Sequence, residues 1–161
     1  MKTKQILTLL LAAAIPFVGF SKSKLKTLTF GDIVLEPEDS LIFALEDMED
    51  SIDGYEVMGE YLPDGVEVEW TGKKFKTPKA GKVKYSKKEG DFVSTSDDNP
   101  AGLKISINKK TGKVSGSFKV YVAKSEKKLK SYTAKVSGYL GSESLSVSIK
   151  KKGIYTSATL D

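Results

Sequence analysis

Along most of the chain, apolar residues occupy alternate positions. Val66, Val68 and Trp70 alternate with Glu67 and Glu69, and Val83 and Tyr85 with Lys82 and Lys84. Leu103, Ile105 and Ile107 alternate with Lys104 and Ser106. Val114, Gly116, Phe118, Val120 and Val122 share one phase, and Ser115, Ser117, Lys119 and Tyr121 take the other. Tyr132, Ala134, Val136, Gly138 and Leu140 repeat the pattern. So do Leu145, Val147 and Ile149, then Ile154, Thr156, Ala158 and Leu160. A period of two predicts strands with one buried and one wet face. Leu28 to Leu35 reads as a first strand, interrupted at Gly31-Asp32.

The connections are short and turn-like. Asn108-Lys109-Lys110-Thr111-Gly112 predicts a tight hairpin, with Gly112 supplying a positive φ. Gly141-Ser142 and Lys151-Lys152-Gly153 join the next strands, and Asp97 to Gly102 forms a longer loop. Antiparallel neighbours on short turns predict an all-β fold, a sandwich or small barrel of about 7–9 strands. Gly116 and Gly138, inward and mid-strand, tilt the expectation toward a barrel.

Two segments depart from this period. In Glu38 to Asp53, Leu41, Leu45, Met48 and Ile52 share one helical face, acids fill the other, and Gly54 suits a helix end. Leu41 to Leu45 reads equally as a buried strand, so one acidic helix or a strand is expected there. Ile6 to Phe20 is apolar except for Thr8, Pro16 and Gly19, and follows the basic Met1-Lys2-Thr3-Lys4. The run is shorter than the roughly 20 residues of a membrane span. It reads as an export signal over residues 1–21, cleaved after Ser21 and lying outside a single all-β domain of residues 22–161. No Cys follows it, which excludes a lipid anchor on Cys. The mature form is expected without a membrane span, in a periplasmic, cell-surface or extracellular location.

Composition narrows the chemistry. The chain has 161 residues with no Cys, no His and no Arg. Disulfides, thiolate nucleophiles, Cys/His zinc sites and Ser-His-Asp triads are excluded. Residues 27–72 hold 14 acids and no Lys, whereas residues 73–161 hold 21 Lys against 7 acids. Such asymmetry bears on partners more than on fold. Lys84, Lys104, Lys119 and Lys135 take outward phases, so the acidic segment is expected to pack beside or across the Lys-rich strands and relieve their repulsion.

Leu62-Pro63-Asp64-Gly65-Val66, Trp70-Thr71-Gly72 and Thr77-Pro78-Lys79-Ala80-Gly81-Lys82-Val83 follow a recurring order of turn residues. It resembles that of bacterial immunoglobulin-like modules. Asn99-Pro100-Ala101-Gly102-Leu103 with Thr111-Gly112-Lys113-Val114-Ser115-Gly116 echoes it. Lys76 stands where the first module would have Gly, and Ser117 replaces a Thr in the second. Residues 99–161 also resemble all-β modules near the C-termini of secreted bacterial proteins. The resemblance implies a secreted β module and carries over no catalytic residue.

Candidate sites are few. Glu46, Asp47, Glu49, Asp50 and Asp53 cluster, but an EF-hand loop from Asp47 would put Ile52 where Gly is needed. Asp97-Asp98-Asn99 reads as a turn with Asx hydrogen bonds. Ser125–Lys128 and Ser148–Lys151 match Ser-x-x-Lys, as expected by accident in a Lys-rich chain. Nucleic acid is disfavoured despite Lys73 to Lys88 with Phe75 and Tyr85, because Arg is absent and the chain bears an export signal. Tyr121, Tyr139 and Tyr155 take the outward phase and are the candidate contact surface. The expectation is a non-catalytic module needing no metal or cofactor. It would have a binding or structural role toward an extracellular protein or glycan. The alternatives are a small polysaccharide hydrolase working through paired carboxylates and a polyanion-binding module.

Overall fold

The computed structural model describes residues 6–12, 25–47, 51–141, 145–149 and 157–159. Its strands are β1 (Ile6–Ala12), β2 (Leu28–Phe30), β3 (Ile33–Leu35), β4 (Ser40–Asp47), β5 (Ser51–Ile52), β6 (Tyr55–Glu56), β7 (Val66–Trp70), β8 (Phe75–Lys76), β9 (Val83–Ser86), β10 (Asp91–Ser94), β11 (Lys104–Ile107), β12 (Lys113–Ala123), β13 (Leu129–Tyr139), β14 (Leu145–Ile149) and β15 (Ser157–Thr159). A four-stranded sheet runs β1-β4-β7-β8 and a five-stranded sheet runs β11-β12-β13-β14-β15. Three two-stranded ribbons, β2–β3, β5–β6 and β9–β10, complete the all-β architecture. Every strand pairing among the described residues is antiparallel. Among the described residues no helix is long and apolar enough to cross a membrane.

The two main sheets share one core. Leu41, Phe43, Val66, Val68 and Trp70 from the first meet Val114, Phe118, Val120, Val122, Ala134, Val136, Val147 and Ile149 from the second. Apart from Leu41 and Phe43, these are the inward phases read from the alternation, so the period of two places the core on both sheets. Burying a side chain of this size contributes about 1.5–3 kcal/mol. Trp70 is 1% exposed, and its indole N–H donates to the Lys26 carbonyl at 2.7 Å, which removes the cost of burying an unpaired donor.

Gly112 has φ +75, as its hairpin requires, and Asn108 Oδ1 accepts the N–H groups of Lys110 and Thr111 inside that turn. Mid-strand Gly116 has a different cause from a barrel bend. A Cβ there would collide with the Lys104 carbonyl and lie 2.7 Å from Ile105 Cδ1, so glycine permits the close approach of β11.

Several expectations are corrected. Residues 28–35 form a hairpin, β2–β3, because Gly31 at φ +57 reverses the chain. Of the helix and strand readings of Leu41 to Leu45, the strand is the one formed, as β4 over Ser40–Asp47. Leu41 and Phe43 are fully buried between β7 and the second sheet, and β4 pairs on both sides. Gly54 ends no helix. Asp53 at φ +54 and Gly54 at φ +80 make the two-residue turn of the β5–β6 hairpin. Met48, Glu49 and Asp50 lie outside the described residues. The apolar run is not idle either: Ile6–Ala12 pairs with Ser40–Asp47 over seven residues.

The acidic and Lys-rich segments meet through their apolar faces, and Ser and Thr separate the lysines. Lys104 and Lys135 both face Ser117, and Lys119 faces Thr133, whose hydroxyl accepts from Lys119 Nζ at 2.6 Å. On that face Lys104, Lys119 and Lys135 therefore stand opposite neutral cross-strand partners rather than opposite one another.

Candidate functional site

The acidic residues converge at one end of β7. Glu67 alternates with buried Val66 and Val68, which points it away from the core. Glu69 is half-buried and stands in register with Ser40 on β4 and Lys76 on β8. The turn before β4 adds Glu38. Its φ of +79 is uncommon for a residue with a side chain. Two tethers hold it there: Glu38 N donates to the Trp70 carbonyl at 2.7 Å, and Asp39 Oδ2 accepts from Glu36 N at 2.8 Å. Asp39 itself is buried within this turn.

The loop after β10 supplies the opposite wall. Asn99 is fully buried. Its Oδ1 accepts from Leu103 N at 2.7 Å, and its Nδ2 donates to the carbonyls of Leu103 at 2.9 Å and Pro78 at 3.1 Å. Its backbone carbonyl accepts from Gly81 N at 2.9 Å. Asn99 thus clamps Pro78–Gly81 to Pro100–Leu103 and presents Asp97 and Asp98 on the outer side. In place of the expected Asx turn at Asp97-Asp98-Asn99, the Asn99 side chain accepts from Leu103 N four residues on, and the Ser96 hydroxyl accepts from Asn99 N.

Together these segments line a cleft of about 510 Å³ containing Glu38, Asp64, Glu67, Glu69, Asp97 and Asp98, with Lys76 as the one lining cation among the described residues. Five of the six acids are exposed and Glu69 is half-buried. Convergent carboxylates at a concave surface make a negative potential that attracts cations and repels anions. Among the described residues no group of three or more His, Cys, Asp or Glu side chains is arranged to hold a metal ion.

Beyond the other end of Trp70 lies a groove of opposite sign. It measures about 840 Å³ and is lined by Lys26, Leu28, Trp70, Gly72, Lys73, Ile107, Asn108, Lys109 and Lys110. Its lysines are exposed, and Lys109 Nζ donates to the Lys73 carbonyl at 3.2 Å. The buried Trp70 offers no open ring face to a ligand there.

The two described candidate tyrosines, Tyr121 and Tyr139, do not form a common surface. Tyr121 is 8% exposed, which corrects its assignment as a contact residue. Its phase is opposite to the main core, but β9–β10 covers that end of β12. Val83, Phe92 and Tyr121 form a second small core, with Met58, Tyr61 and Tyr85 packed against it. Tyr139 is 51% exposed, as expected. Tyr121 is in register with Ser131 and Tyr139 with Lys113, eight positions apart on β12. That separation is roughly 27 Å at strand rise. Tyr155 lies outside the described residues.

Asp53 gains an unforeseen role. The Tyr132 hydroxyl donates to Asp53 Oδ2 at 2.6 Å and ties the β5–β6 turn to β13. The sequence signal for that turn was the Asp-Gly pair between Ile52 and Tyr55. The cleft's own signal was weaker, since its six acids come from three separate stretches of chain. Ser125, of the Ser-x-x-Lys pair with Lys128, is exposed in the β12–β13 turn.

No protein-family model, curated protein or solved structure matches the chain.

Proposed function

We propose that this chain is a secreted, non-catalytic β module with a binding role in an extracellular or cell-surface assembly. Its acidic cleft is the surface that holds a cationic protein partner. The convergence of six carboxylates from three chain segments on one cleft carries this reading. Single exposed ion pairs contribute about 0–1 kcal/mol, so recognition here is collective, fast and sensitive to salt.

The test is surface plasmon resonance on the exported protein with oligolysine as the probe. Binding should weaken steeply between low salt and about 1 M NaCl, where the Debye length is about 3 Å. The double variant Glu67→Gln/Glu69→Gln should bind at least tenfold more weakly. Equal binding by the variant, or none by the native protein, refutes the assignment. A sulfated polysaccharide in a parallel channel examines the lysine groove, and salt-sensitive capture there would favour the polyanion-binding role.

The same cleft is the observation that favours a carboxylate-dependent polysaccharide hydrolase. Such an enzyme needs one carboxyl held protonated by burial beside an ionised partner. The exposure of five of the six acids argues for the binding role. Release of reducing ends from soluble polysaccharides, abolished in the Gln variants, would reverse that preference.

A further inference from the structure

In the full chain β4 is an interior strand because β1 lies along one side of it and β7 along the other. β1 pairs Ile6 with Asp47, shifts register by one residue, and continues from Leu7↔Leu45 to Ala12↔Ser40. This same segment belongs to the apolar run read as an export leader. Cleavage after Ser21 would remove β1 and turn β4 into an edge.

Over Leu41 to Leu45, β4 has none of the usual protections of an edge strand; its charges, Glu46 and Asp47, and the register shift in its pairing with β1 lie at its C-terminal end. Exposed edges normally carry charge, proline or a bulge, or are covered, because their free N–H and C=O groups template pairing with other chains. From Leu41 to Leu45 the strand reads Leu-Ile-Phe-Ala-Leu, without charge or proline. Leu41 and Phe43 are fully buried, Leu45 is 8% exposed, and Ile42 and Ala44 are half-buried. The residues that follow the cleavage point do not suit the vacancy. Lys22, Lys24 and Lys26 break any apolar stretch, and Lys26 N already donates to the Gly72 carbonyl beyond the far end of β7.

We propose that the processed domain is a strand acceptor: the edge of β4 freed by leader removal binds an extended apolar strand donated by another protein. This rests on the reading of residues 1–21 as an export leader. The donor lies antiparallel to β4 and is uncharged over the five positions that face Leu41 to Leu45. The seat held by Leu7–Leu11 in the full chain defines that register. Backbone ladder bonds supply affinity, and the apolar positions on either side supply selectivity.

The experiment uses protein secreted by cells expressing the whole chain. Intact mass establishes its first residue, expected at Lys22 or within a few residues of it. A synthetic peptide of Gln5–Ala13 with a Lys tail for solubility serves as probe. At a hundredfold excess over its Kd it should raise the melting temperature by roughly 5–10 °C. It should also slow hydrogen exchange at β4 amides. The same peptide carrying Leu9→Asp, opposite Phe43, should bind at least tenfold more weakly. A mass beginning at Met1 overturns the proposal through the leader reading. A processed monomer that ignores the peptide, or whose β4 amides are already protected without it, overturns it at β4 itself. Protection arising in a dimer makes a second copy the occupant and equally refutes a donor from another protein.

Discussion

Asn99→Asp keeps the shape of the side chain that clamps the cleft loop and replaces its donor with an acceptor. In the native protein the amide Nδ2 serves two carbonyls, Pro78 and Leu103, at a site with no exposure. A carboxylate would leave both carbonyls without a donor and bring a negative charge against them. Each buried group left unsatisfied costs about 1–3 kcal/mol, so the two together cost about 2–6 kcal/mol. That is a large share of the ~5–15 kcal/mol that holds a domain folded. Desolvation of the charge adds to it, and the carboxyl responds by holding its proton. The sign follows. Its pKa in the folded variant lies above the unfolded value of about 3.9, so the extra destabilisation is absent below that value and grows as pH rises through the folded pKa. Asn99→Ala loses three side-chain hydrogen bonds without introducing charge, so its loss of about 2–4 kcal/mol is the same at every pH. Urea denaturation of the native protein and both variants near pH 4 and pH 7 separates these effects. The reasoning fails if Asn99→Asp at pH 7 lies within about 0.5 kcal/mol of the native protein, the range of an ordinary surface change. It fails equally if the Asp variant shows no added pH dependence over the Ala variant.

Gly116→Ala should destabilise by about 1–3 kcal/mol, because its Cβ meets the backbone of β11, which cannot rotate away; thermal melts measure this. Tyr121→Ala should cost about 3–5 kcal/mol by emptying the small core beneath β9–β10, whereas Tyr121→Phe keeps the ring and should cost less than about 1 kcal/mol. Hydrogen exchange should show the loss in Tyr121→Ala concentrated in β9 and β10. Tyr61 has its pKa raised above 10.0, first by burial and then by the charges of Glu60 and Asp91. Its hydroxyl donates to the Phe92 carbonyl at 2.6 Å. Its contribution to stability is therefore complete below pH 10 and lost as pH rises through the folded value. Tyrosinate absorbance should show one group titrating late, and that component should vanish in Tyr61→Phe.

Sequence alone determined the β class, because side chains of a strand alternate between faces whatever their neighbours. The alternation from Val114 to Leu140 located β12 and β13 and named the residues of the main core. Local turn chemistry was equally legible where one residue type was obligatory, as with Asn108 and Gly112. Leu41 to Leu45 was not legible, because five consecutive apolar residues satisfy a helical face and a doubly buried strand alike. Pairing with β1 and β7 decided between them. Tyr121 was assigned the correct phase and the wrong surroundings: alternation tells which face a residue occupies, and a second layer on that face is a long-range fact. The acidic excess was countable from composition. Its concentration into a cleft depended on the Asn99 clamp and the tethered turn at Glu38, which bring residues up to 60 positions apart onto one surface. Only tertiary structure could assemble that site, because the contacts that shape it act between segments with no local relation along the chain.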